Sequence, residues 1–429
     1  MSIKLKKKIS SKKAKIAVIG LGYVGLPIAV AFAEKGFKVF GIDTNAQRVD
    51  RVKNLKSYIT DIPSKTIARV VGNKSLDVTT DFDLLFQADI VIICVPTPLK
   101  RKYTPDISFM VSAVKSVAKH LHKDMLVVLE STTYPGTTEE LVKPELEKSG
   151  LKAGKDFFLA FSPERVDPGN KSFAVTQIPK VVGGFSATCA KLTCLLYGQI
   201  IKHIHPVSSC KSAEMTKLLE NSFRIVNIGW INEIAQTCHA LGIDVWEVID
   251  AAKTKPFGFM PFYPGLGVGG HCIPEDPLYL YWKAKRYGFN SKFIKLAADT
   301  NSNMPHYAVL RLKEMLKGLF EGAKILVLGV TYKKDVKDLR KSPSLKLIEL
   351  LKRHTLVDYY DPLVPYIKLG GLHQDSIKLS PAVIKKYDVV VVAVDHSVVN
   401  YASIYKNARL IFDTRNVYQD KKDKKVVKL

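Results

Sequence analysis

The protein has 429 residues, of which 47% are hydrophobic and 24% charged, and its formal net charge is +25 at pH 7. This length predicts two or three domains, since one domain usually has about 100 to 200 residues. No stretch approaches the run of about 20 apolar residues that spans a bilayer, which predicts a soluble protein. The N-terminus lacks the apolar region of a secretory signal, and the six cysteines form no CxxC pair. We therefore expect a cytoplasmic protein with reduced thiols.

The positive charge is concentrated at the two ends of the chain. Seven lysines lie among the first 15 residues, and five more lie between Lys421 and Lys428. We interpret these segments as solvated, flexible tails, and the remaining positive charge suits a phosphate-rich substrate. The alternative is a protein that binds nucleic acid or an anionic surface, but the sequence has no stacking-aromatic motif or helix-turn-helix pattern. We expect no nucleic-acid partner and no integral membrane segment.

Short β-branched runs alternate with helical stretches in both halves of the chain. Early runs occupy residues 16–20, 38–43, 89–96 and 125–132, and late runs occupy residues 324–331, 356–361, 388–395 and 410–413. This alternation is typical of parallel sheets with crossover helices. Between the two sets, residues 208–241 predict one helix of about 45 Å, long enough to join two domains or to form a subunit interface. The predicted fold class is α/β, with two Rossmann-like parallel-sheet domains joined by a long central helix.

A glycine-rich turn follows the first predicted strand. Gly20, Gly22 and Gly25 form a GxGxxG pattern that opens a helix, and Asp43 follows Gly25 by 18 residues at the end of the second strand. In dinucleotide-binding folds, such glycines allow a tight turn and close approach of the pyrophosphate, while the carboxylate accepts both ribose hydroxyls. Asp43 would repel a 2′-phosphate, so NAD is predicted rather than NADP. Arg48 is the neighbouring residue that could accommodate that phosphate.

The most informative segment, residues 264–277, presents a cysteine behind four glycines. Glycine lets the backbone approach a ligand closely, so Cys272 is predicted to offer its thiol without steric cover. The alternative is a buried structural cysteine, which is the more frequent role of a lone cysteine. Asp276 follows four residues later. On the predicted central helix, Lys217 and Asn221 are spaced i, i+4 and share one face, where they could stabilise an oxyanion or orient a water.

Several further motifs follow one another along the chain. They are VPTP at residues 95–98, ESTTYPG at 130–136, FSPER at 161–165, GGHC at 269–272, KKD at 333–335, and Arg340. This ordered set resembles the UDP-glucose/GDP-mannose dehydrogenase family over nearly the whole chain. Residues 254–265 look most like the UDP-N-acetylglucosamine 6-dehydrogenase branch, with Leu266 where that branch usually has a second proline. The resemblance implies a role in polysaccharide biosynthesis, and the long central helix predicts a homodimer.

The resemblance also implies a four-electron oxidation of the C6 hydroxyl of a nucleotide sugar to a carboxylate, with two NAD molecules used in turn. Lys217 and Asp276, with an ordered water, would remove the hydroxyl proton as the first hydride leaves. Cys272 would then attack the aldehyde, and Lys217 and Asn221 would stabilise the oxyanion of the thiohemiacetal.

A second hydride transfer would leave a thioester, which must be hydrolysed. Glu164 is implied as the base with Asp276 as helper, and Thr132 as the residue that orients the water or the nicotinamide. The rival hypothesis is an ordinary two-electron Rossmann dehydrogenase, which has no need for a presented thiol such as Cys272. UDP-glucose, UDP-N-acetylgalactosamine and UDP-N-acetylmannosamine are the alternative substrates.

By position, the resemblance implies further binding residues and three domains. The cofactor-binding residues are Gly20, Gly22, Tyr23, Val24, Gly25, Asp43, Arg48, Thr97, Thr132 and Arg340. The substrate-binding residues are Glu164, Arg165, Lys217, Asn221, Phe262, Tyr263, Gly269 and Lys333. No metal is expected. The domains are an NAD-binding domain at residues 1–205, a central helical region with the dimer interface and catalytic loop at 206–305, and a UDP-sugar-binding domain at 306–429.

Overall fold

The computed structural model describes residues 3–59, 62–100, 103–165, 177–421 and 423–429, except for the side chain at position 372. The chain divides into two compact units, Met1–Glu220 and Asn221–Leu429. Each unit contains a sheet of mainly parallel strands together with helices. The prediction of an α/β fold with two Rossmann-like sheets and a long central helix is therefore confirmed.

The first unit is built on an eight-stranded sheet. Its strands are β1 Lys15–Ile19, β2 Lys38–Ile42, β3 Leu76–Thr79, β4 Ile90–Ile93, β5 Leu126–Leu129, β6 Phe158–Phe161, β7 Lys180–Gly184 and β8 Ile204–Val207. Their order is β3-β2-β1-β4-β5-β6-β7-β8, and neighbours are parallel except for β6 and β7. The early predicted strands are β1, β2, β4 and β5, and each ends earlier than predicted. The residues beyond those ends form loops at the carboxyl edge of the sheet, where such folds bind ligands.

Apolar cores lie on both faces of this sheet. The helices are α1 Ile3–Ser10, α2 Gly25–Glu34, α3 Ala46–Lys53, α4 Ser64–Gly72, α5 Ser108–His120, α6 Lys143–Glu147, α7 Ala187–Tyr197 and α8 Cys210–Ala240, with a 3-10 helix Phe82–Gln87 and a π-helical turn Thr138–Val142. In β1, Ile16 and Val18 belong to one core and Ala17 and Ile19 to the other. A strand buried on both faces has to be apolar throughout, which explains why these runs could be recognised in the sequence.

Both basic ends are part of the fold, so the interpretation as flexible tails is wrong for the described residues of those segments. On α1, Leu5 and Ile9 are 2% and 0% exposed and pack in the core that includes α7. Their i, i+4 spacing places them on one face of the helix, while Lys8 binds the carboxylate of Asp89. At the other end, Val426–Lys428 form the edge strand of the second sheet.

The second unit contains a five-stranded parallel sheet and a separate hairpin. The strands are β9 Lys324–Leu328, β10 Leu356–Tyr360, β11 Tyr366–Leu369, β12 Leu372–Asp375, β13 Val389–Val392, β14 Ile411–Asp413 and β15 Val426–Lys428. The helices are α9 Val245–Ala252, α10 Cys272–Arg286, α11 Lys292–Leu316, α12 Pro343–Leu351, α13 Pro381–Ile384 and α14 Tyr401–Asn407. The sheet order is β10-β9-β13-β14-β15, and β11 pairs with β12. The late predicted strands are β9, β10, β13 and β14.

One contact recurs at the first strand turn of each unit. The N–H of Leu21, after β1, donates to the carboxylate of Asp43 at the end of β2, with an N···O distance of 2.8 Å. The N–H of Val330, after β9, donates to the carboxylate of Asp361 at the end of β10, at 2.7 Å. In both turns the preceding residue is a glycine with positive φ. The first strand turn of each sheet is therefore held by the same hydrogen bond, from a backbone amide to a carboxylate at the end of the next strand.

Across the described ranges, no helix is both long and apolar enough to cross a membrane. The same residues contain no group of three or more His, Cys, Asp or Glu side chains that could hold a metal ion. All six cysteines are thiols, and Cys272 is the exposed one among them.

We expect Ile9→Ala to lower the free energy of unfolding by about 2 kcal/mol or more, because it leaves a cavity in the core of the first unit. Ile3→Ala on the same helix is the matched control, since Ile3 is 69% exposed, and should change that free energy by less than about 0.5 kcal/mol. Urea unfolding of the full chain measures both. Equally small effects of the two substitutions would show that α1 is not anchored in solution.

Candidate active site

The glycines of the first turn are required by close backbone packing. Gly20 has φ +92°, and a Cβ on it would lie 2.5 Å from the carbonyl oxygen of Cys94. A Cβ on Gly25 would lie 1.8 Å from the carbonyl oxygen of Gly20. Around Gly22, in contrast, no atom lies within 4 Å of the Cβ position. Gly20 and Gly25 thus close the turn, and Gly22 leaves space for a ligand to approach the backbone.

Helix α2 begins at Gly25, directly after this turn. Its N-cap residue, Val24, makes no side-chain hydrogen bond to those amides. The N-terminus of a helix carries a partial positive charge and attracts phosphate groups. The turn and the helix start therefore fit the pyrophosphate of a dinucleotide.

Asp43 is fixed beside the turn by backbone and side-chain partners. It is 6% exposed, and its carboxylate accepts from the N–H groups of Leu21 and Asn45, both at 2.8 Å. The guanidinium of Arg48 lies 3.3 Å from the same carboxylate. In this position Arg48 is an ion-pair partner of Asp43, and the carboxylate stays at the tip of β2, where a ribose would be bound.

Two strand ends beside this turn are tied together by Thr97. Its hydroxyl, after β4, donates to the carbonyl of Thr132, after β5, at 2.6 Å. Thr97 is buried, whereas Tyr23 in the glycine turn is 46% exposed. The sequence-predicted cofactor residues of the first unit thus line the carboxyl ends of β1, β2, β4 and β5.

The loop after β5 is held by a carboxylate that the sequence analysis missed. Glu214 on α8 is 0% exposed and accepts from the N–H of Gly136 at 2.5 Å, the N–H of Thr138 at 2.9 Å and the hydroxyl of Thr138 at 2.7 Å. Burial raises the pKa of Glu214 to about 7, although these hydrogen bonds oppose the rise. Because the partners are 76 and 78 residues apart, no local sequence pattern indicates this contact.

Glu164 and Arg165, after β6, both form ion pairs in the first unit. The carboxylate of Glu164 lies 3.4 Å from the ammonium of Lys180. The guanidinium of Arg165 lies 2.6 Å from the carboxylate of Glu220 and donates to the carbonyl of Pro179 at 2.7 Å. These contacts fix the orientation of both residues at the carboxyl edge of the sheet.

In the second unit, Cys272 is the first residue of α10, and its side chain is exposed. The loop before it packs against the segment after β9: a Cβ on Gly269 would lie 2.6 Å from the Cβ of Tyr332. Gly270 has φ +85° and donates its N–H to the carbonyl of Arg340 at 2.8 Å. Only glycine fits these two positions, so the loop presents the thiol in a defined place.

The residue before the cysteine is influenced by a buried carboxylate that the sequence analysis did not single out. Glu275 is 4% exposed, and its oxygens lie 2.6 Å from the ammonium of Lys341 and 3.5 Å from Nε2 of His271. Burial lowers the pKa of His271 below 6.5, and the cations of Arg340 and Lys341 lower it further, against the opposing effect of Glu275. Burial and the two cations thus favour the neutral form of His271.

Two further catalytic candidates meet in the second unit. The amide of Asn221 on α8 donates to the carboxylate of Asp276 on α10 at 2.6 Å, and the residues are 4% and 1% exposed. One helical turn before Asn221, Lys217 is 7% exposed. The predicted face of α8 is therefore buried, and its amide orients a buried carboxylate.

The aromatic substrate candidates pack on other rings of the second unit. Phe262 makes an edge contact with Phe223, with ring centroids 5.7 Å apart. Tyr263 stacks on Trp246 at 6.0 Å and is 48% exposed. Each ring thus packs against another ring on one side, and Tyr263 remains partly exposed to solvent.

The basic candidates Lys333 and Arg340 follow β9. Lys333 is partly buried, and its carbonyl accepts from the hydroxyl of Thr331 at 2.9 Å. Arg340 is exposed, and its guanidinium lies 2.6 Å from the carboxylate of Asp338. Both cations stand at the carboxyl end of a parallel strand, as expected for residues that contact a bound nucleotide.

The predicted site residues therefore fall into two groups, one in each unit. The first unit contains Gly20, Gly22, Tyr23, Val24, Gly25, Asp43, Arg48, Thr97, Thr132, Glu164, Arg165 and Lys217. The second unit contains Asn221, Phe262, Tyr263, Gly269, Cys272, Asp276, Lys333 and Arg340.

Comparison with known proteins gives matches to three family domains. The UDP-glucose/GDP-mannose dehydrogenase family NAD binding domain matches residues 14–201, the central domain residues 211–303 and the UDP binding domain residues 326–420. The chain belongs to the UDP-glucose/GDP-mannose dehydrogenase family. It is an NAD-dependent nucleotide-sugar 6-dehydrogenase, and the prediction of NAD as cofactor is confirmed.

Relatives within the UDP-glucose/GDP-mannose dehydrogenase family span nearly the whole chain. The UDP-N-acetyl-D-glucosamine 6-dehydrogenase of Pseudomonas aeruginosa is 40% identical over 393 residues, which cover 90% of this chain and 91% of that protein. Protein CapL of Staphylococcus aureus is 39% identical over 416 residues, covering 94% and 96%. The solved structure of UDP-D-ManNAc dehydrogenase from Pyrococcus horikoshii has a TM-score of 0.85 and 36% identity, covering 94% and 95%. The names of the enzymes from Pseudomonas aeruginosa and Pyrococcus horikoshii give different sugars.

We expect Asp43→Asn to raise the Michaelis constant for NAD about tenfold or more, because a hydrogen bond to a charged group contributes about 1.5 to 3 kcal/mol. The asparagine keeps an oxygen for the N–H of Leu21 but removes the charge that repels a 2′-phosphate. The preference for NAD over NADP should therefore shrink. Asp77→Asn, on the exposed side of β3, is the control. If Asp43→Asn leaves the ratio of the Michaelis constants for NAD and NADP unchanged, Asp43 does not contact the cofactor.

Proposed function

We propose that the enzyme oxidises the C6 hydroxyl of a UDP-N-acetylhexosamine to the uronate in a four-electron reaction, through covalent intermediates on Cys272. The exposed thiol at the start of α10 carries this proposal. A two-electron dehydrogenase does not need a nucleophile that a glycine loop presents. UDP-N-acetylglucosamine is the first candidate substrate, supported by residues 254–265 and by the relative from Pseudomonas aeruginosa.

UDP-N-acetylmannosamine is the second candidate. Relatives named for that sugar are 36% identical to this chain, and the structure from Pyrococcus horikoshii is one of them. The two sugars share the C6 hydroxyl, so the same chemical groups serve both.

In the first oxidation, the chain must remove the proton of the C6 hydroxyl. When bound, NAD accepts a hydride from the substrate in each of the two oxidations. We assign proton removal to Lys217 and Asp276 through an ordered water. The hydrogen bond from Asn221 supports this role, because it holds the carboxylate of Asp276 in one orientation.

Cys272 then attacks the aldehyde carbon, so that a C–S bond forms and the carbonyl oxygen becomes an oxyanion. Lys217 and Asn221 stabilise that oxyanion, an effect for which single donors contribute about 10²- to 10³-fold in rate. Loss of a second hydride from the same carbon gives the thioester. We propose that Glu164, assisted by Asp276, is the base that activates the water for hydrolysis of the thioester. We propose that Thr132 orients this water.

The remaining predicted residues serve binding. We assign Lys333 to binding of the uridine diphosphate and Arg340 to contact with the bound NAD. We propose the domain division accordingly: residues 1–205 for NAD, 206–305 for the dimer interface and catalytic loop, and 306–429 for the UDP-sugar.

We also propose a homodimer formed through α8. Four large apolar side chains of this helix are exposed, with exposed fractions between 36% and 60%: Met215, Leu219, Phe223 and Trp230. Their spacing places them on one side of the helix. A stripe of exposed apolar residues of this size is typical of an interaction surface.

The reaction is tested first with the parent enzyme. NADH release from UDP-glucose and from the three UDP-N-acetylhexosamines should be fastest with UDP-N-acetylglucosamine. The product should form with about two NADH per uronate, as the conversion of an alcohol to a carboxylate requires. A yield of one NADH per turnover would contradict the four-electron reaction and indicate an ordinary two-electron dehydrogenase.

Two variants of the thiol complete this test. Cys272→Ser should still transfer hydride but form an ester that hydrolyses slowly, so that mass spectrometry detects a sugar adduct on the enzyme. Cys272→Ala should lose uronate formation by several orders of magnitude and keep NAD binding, because the glycine turn is unchanged. Uronate formation by Cys272→Ala near the parent rate would contradict the covalent mechanism.

For the dimer, we expect Trp230→Glu to shift the enzyme towards monomer, because burial of an unpaired carboxylate opposes association. Phe86→Glu is the control, since Phe86 is an exposed aromatic residue at 73% on the 3-10 helix of the first unit. Sedimentation velocity measures both. A parent enzyme that sediments as a monomer would overturn the proposal.

A further inference from the structure

A buried cation with two carboxylate partners lies behind Glu164 in the first unit. Lys180, the first residue of β7, is 5% exposed, and its ammonium lies 3.0 Å from Glu130 and 3.4 Å from Glu164. Glu130 follows β5 and is 1% exposed. Its second oxygen accepts from the hydroxyl of Tyr197 on α7. The reaction steps described above use Glu164 but none of the other three residues.

The charges of this cluster depend on one another. Burial opposes the charged form of Lys180, but the carboxylates of Glu130 and Glu164 outweigh it and raise the pKa of the lysine. Burial raises the pKa of Glu130, and Lys180 opposes that rise. A buried ion pair rarely stabilises a fold more than well-packed apolar side chains of the same volume would. Stability alone therefore gives little reason for three ionisable groups at this place.

The cluster determines how Glu164 is held. One carboxylate oxygen faces Lys180, and the other accepts from the N–H of Arg165 at 2.6 Å. The side chain of Glu164 is 12% exposed, so it is fixed at both oxygens and still reaches the surface of the unit. Beside Glu164, Lys180 and Tyr197 lies a small cavity of about 20 Å³.

We propose that Lys180, held by Glu130 and Tyr197, is a positioning residue for Glu164 in thioester hydrolysis. This inference rests on the proposed role of Glu164. In that step the water oxygen bonds to the acyl carbon, the C–S bond breaks, the electron pair leaves on the sulfur of Cys272, and the water proton passes to Glu164. Neither hydride transfer is assigned to Glu164, so with saturating substrate the loss of Lys180 slows hydrolysis while both hydride transfers keep their rates.

The test compares the steps of a single turnover in Lys180→Met, with UDP-N-acetylglucosamine or the UDP-sugar that the parent oxidises fastest. The first burst of NADH should stay within about twofold of the parent, while steady uronate formation falls about 100-fold, as expected for a displaced catalytic group. Intact-mass spectrometry should detect the acyl adduct on Cys272 as the main species. Lys191→Met, at an exposed position of α7, is the matched control and should behave as the parent.

Two further variants keep the test decisive. Lys180→Arg retains the cation with a longer, planar head, so it should fold even if Lys180→Met does not and should slow hydrolysis about tenfold with the NADH burst unchanged. Equal slowing of the burst and of hydrolysis, or absence of the adduct in both Lys180 variants, overturns the inference. Glu164→Gln separates the two hypotheses: absence of an adduct in this variant contradicts the proposed role of Glu164 itself. An adduct in Glu164→Gln but not in the Lys180 variants contradicts the role of Lys180 alone.

Discussion

A buried carboxylate at the tip of a strand must find hydrogen-bond donors, because leaving such a group unpaired is costly. In both units of this protein, one of the donors is a backbone amide of the neighbouring strand turn. Asp43 accepts from Leu21, and Asp361 accepts from Val330, at 2.8 and 2.7 Å. Each contact fixes a turn that begins with a left-handed glycine. In the first unit, this contact fixes the carboxylate that we assign to the ribose beside the turn from which α2 begins.

The parts of the fold that could be predicted are those with a local cause. Strands buried on both faces have to be continuously apolar, and the glycine turn with Asp43 at a fixed distance is a local requirement of dinucleotide binding. The anchoring of α1 was missed because it depends on only two side chains, Leu5 and Ile9, among many lysines. The contacts of Glu214 and Lys180 were missed for another reason: their partners lie on other strands and loops, and their distances along the chain follow no rule.

Relatives of similar identity are named for different sugars, UDP-N-acetyl-D-glucosamine and UDP-N-acetyl-D-mannosamine. N-acetylglucosamine and N-acetylmannosamine are epimers at C2, so the two substrates differ in the direction of one substituent. A few contacts are enough to discriminate between such substrates, because a site built to hydrogen-bond a group rejects its misplacement. Overall identity of about 40% over about 400 residues therefore does not by itself identify the sugar.

Helix α8 is continuous over 31 residues, and Glu214, Lys217 and Asn221 lie within two of its turns. The relative direction of these side chains is therefore set by helix geometry alone. One residue inserted among them would rotate every group on one side by about 100° relative to those on the other. A side-chain replacement within this segment alters one group, whereas an insertion or deletion would misplace all the groups beyond it. Loops at the strand ends impose no such rotation on their neighbours. The number of residues between Glu214 and Asn221 is therefore itself a structural requirement of the site.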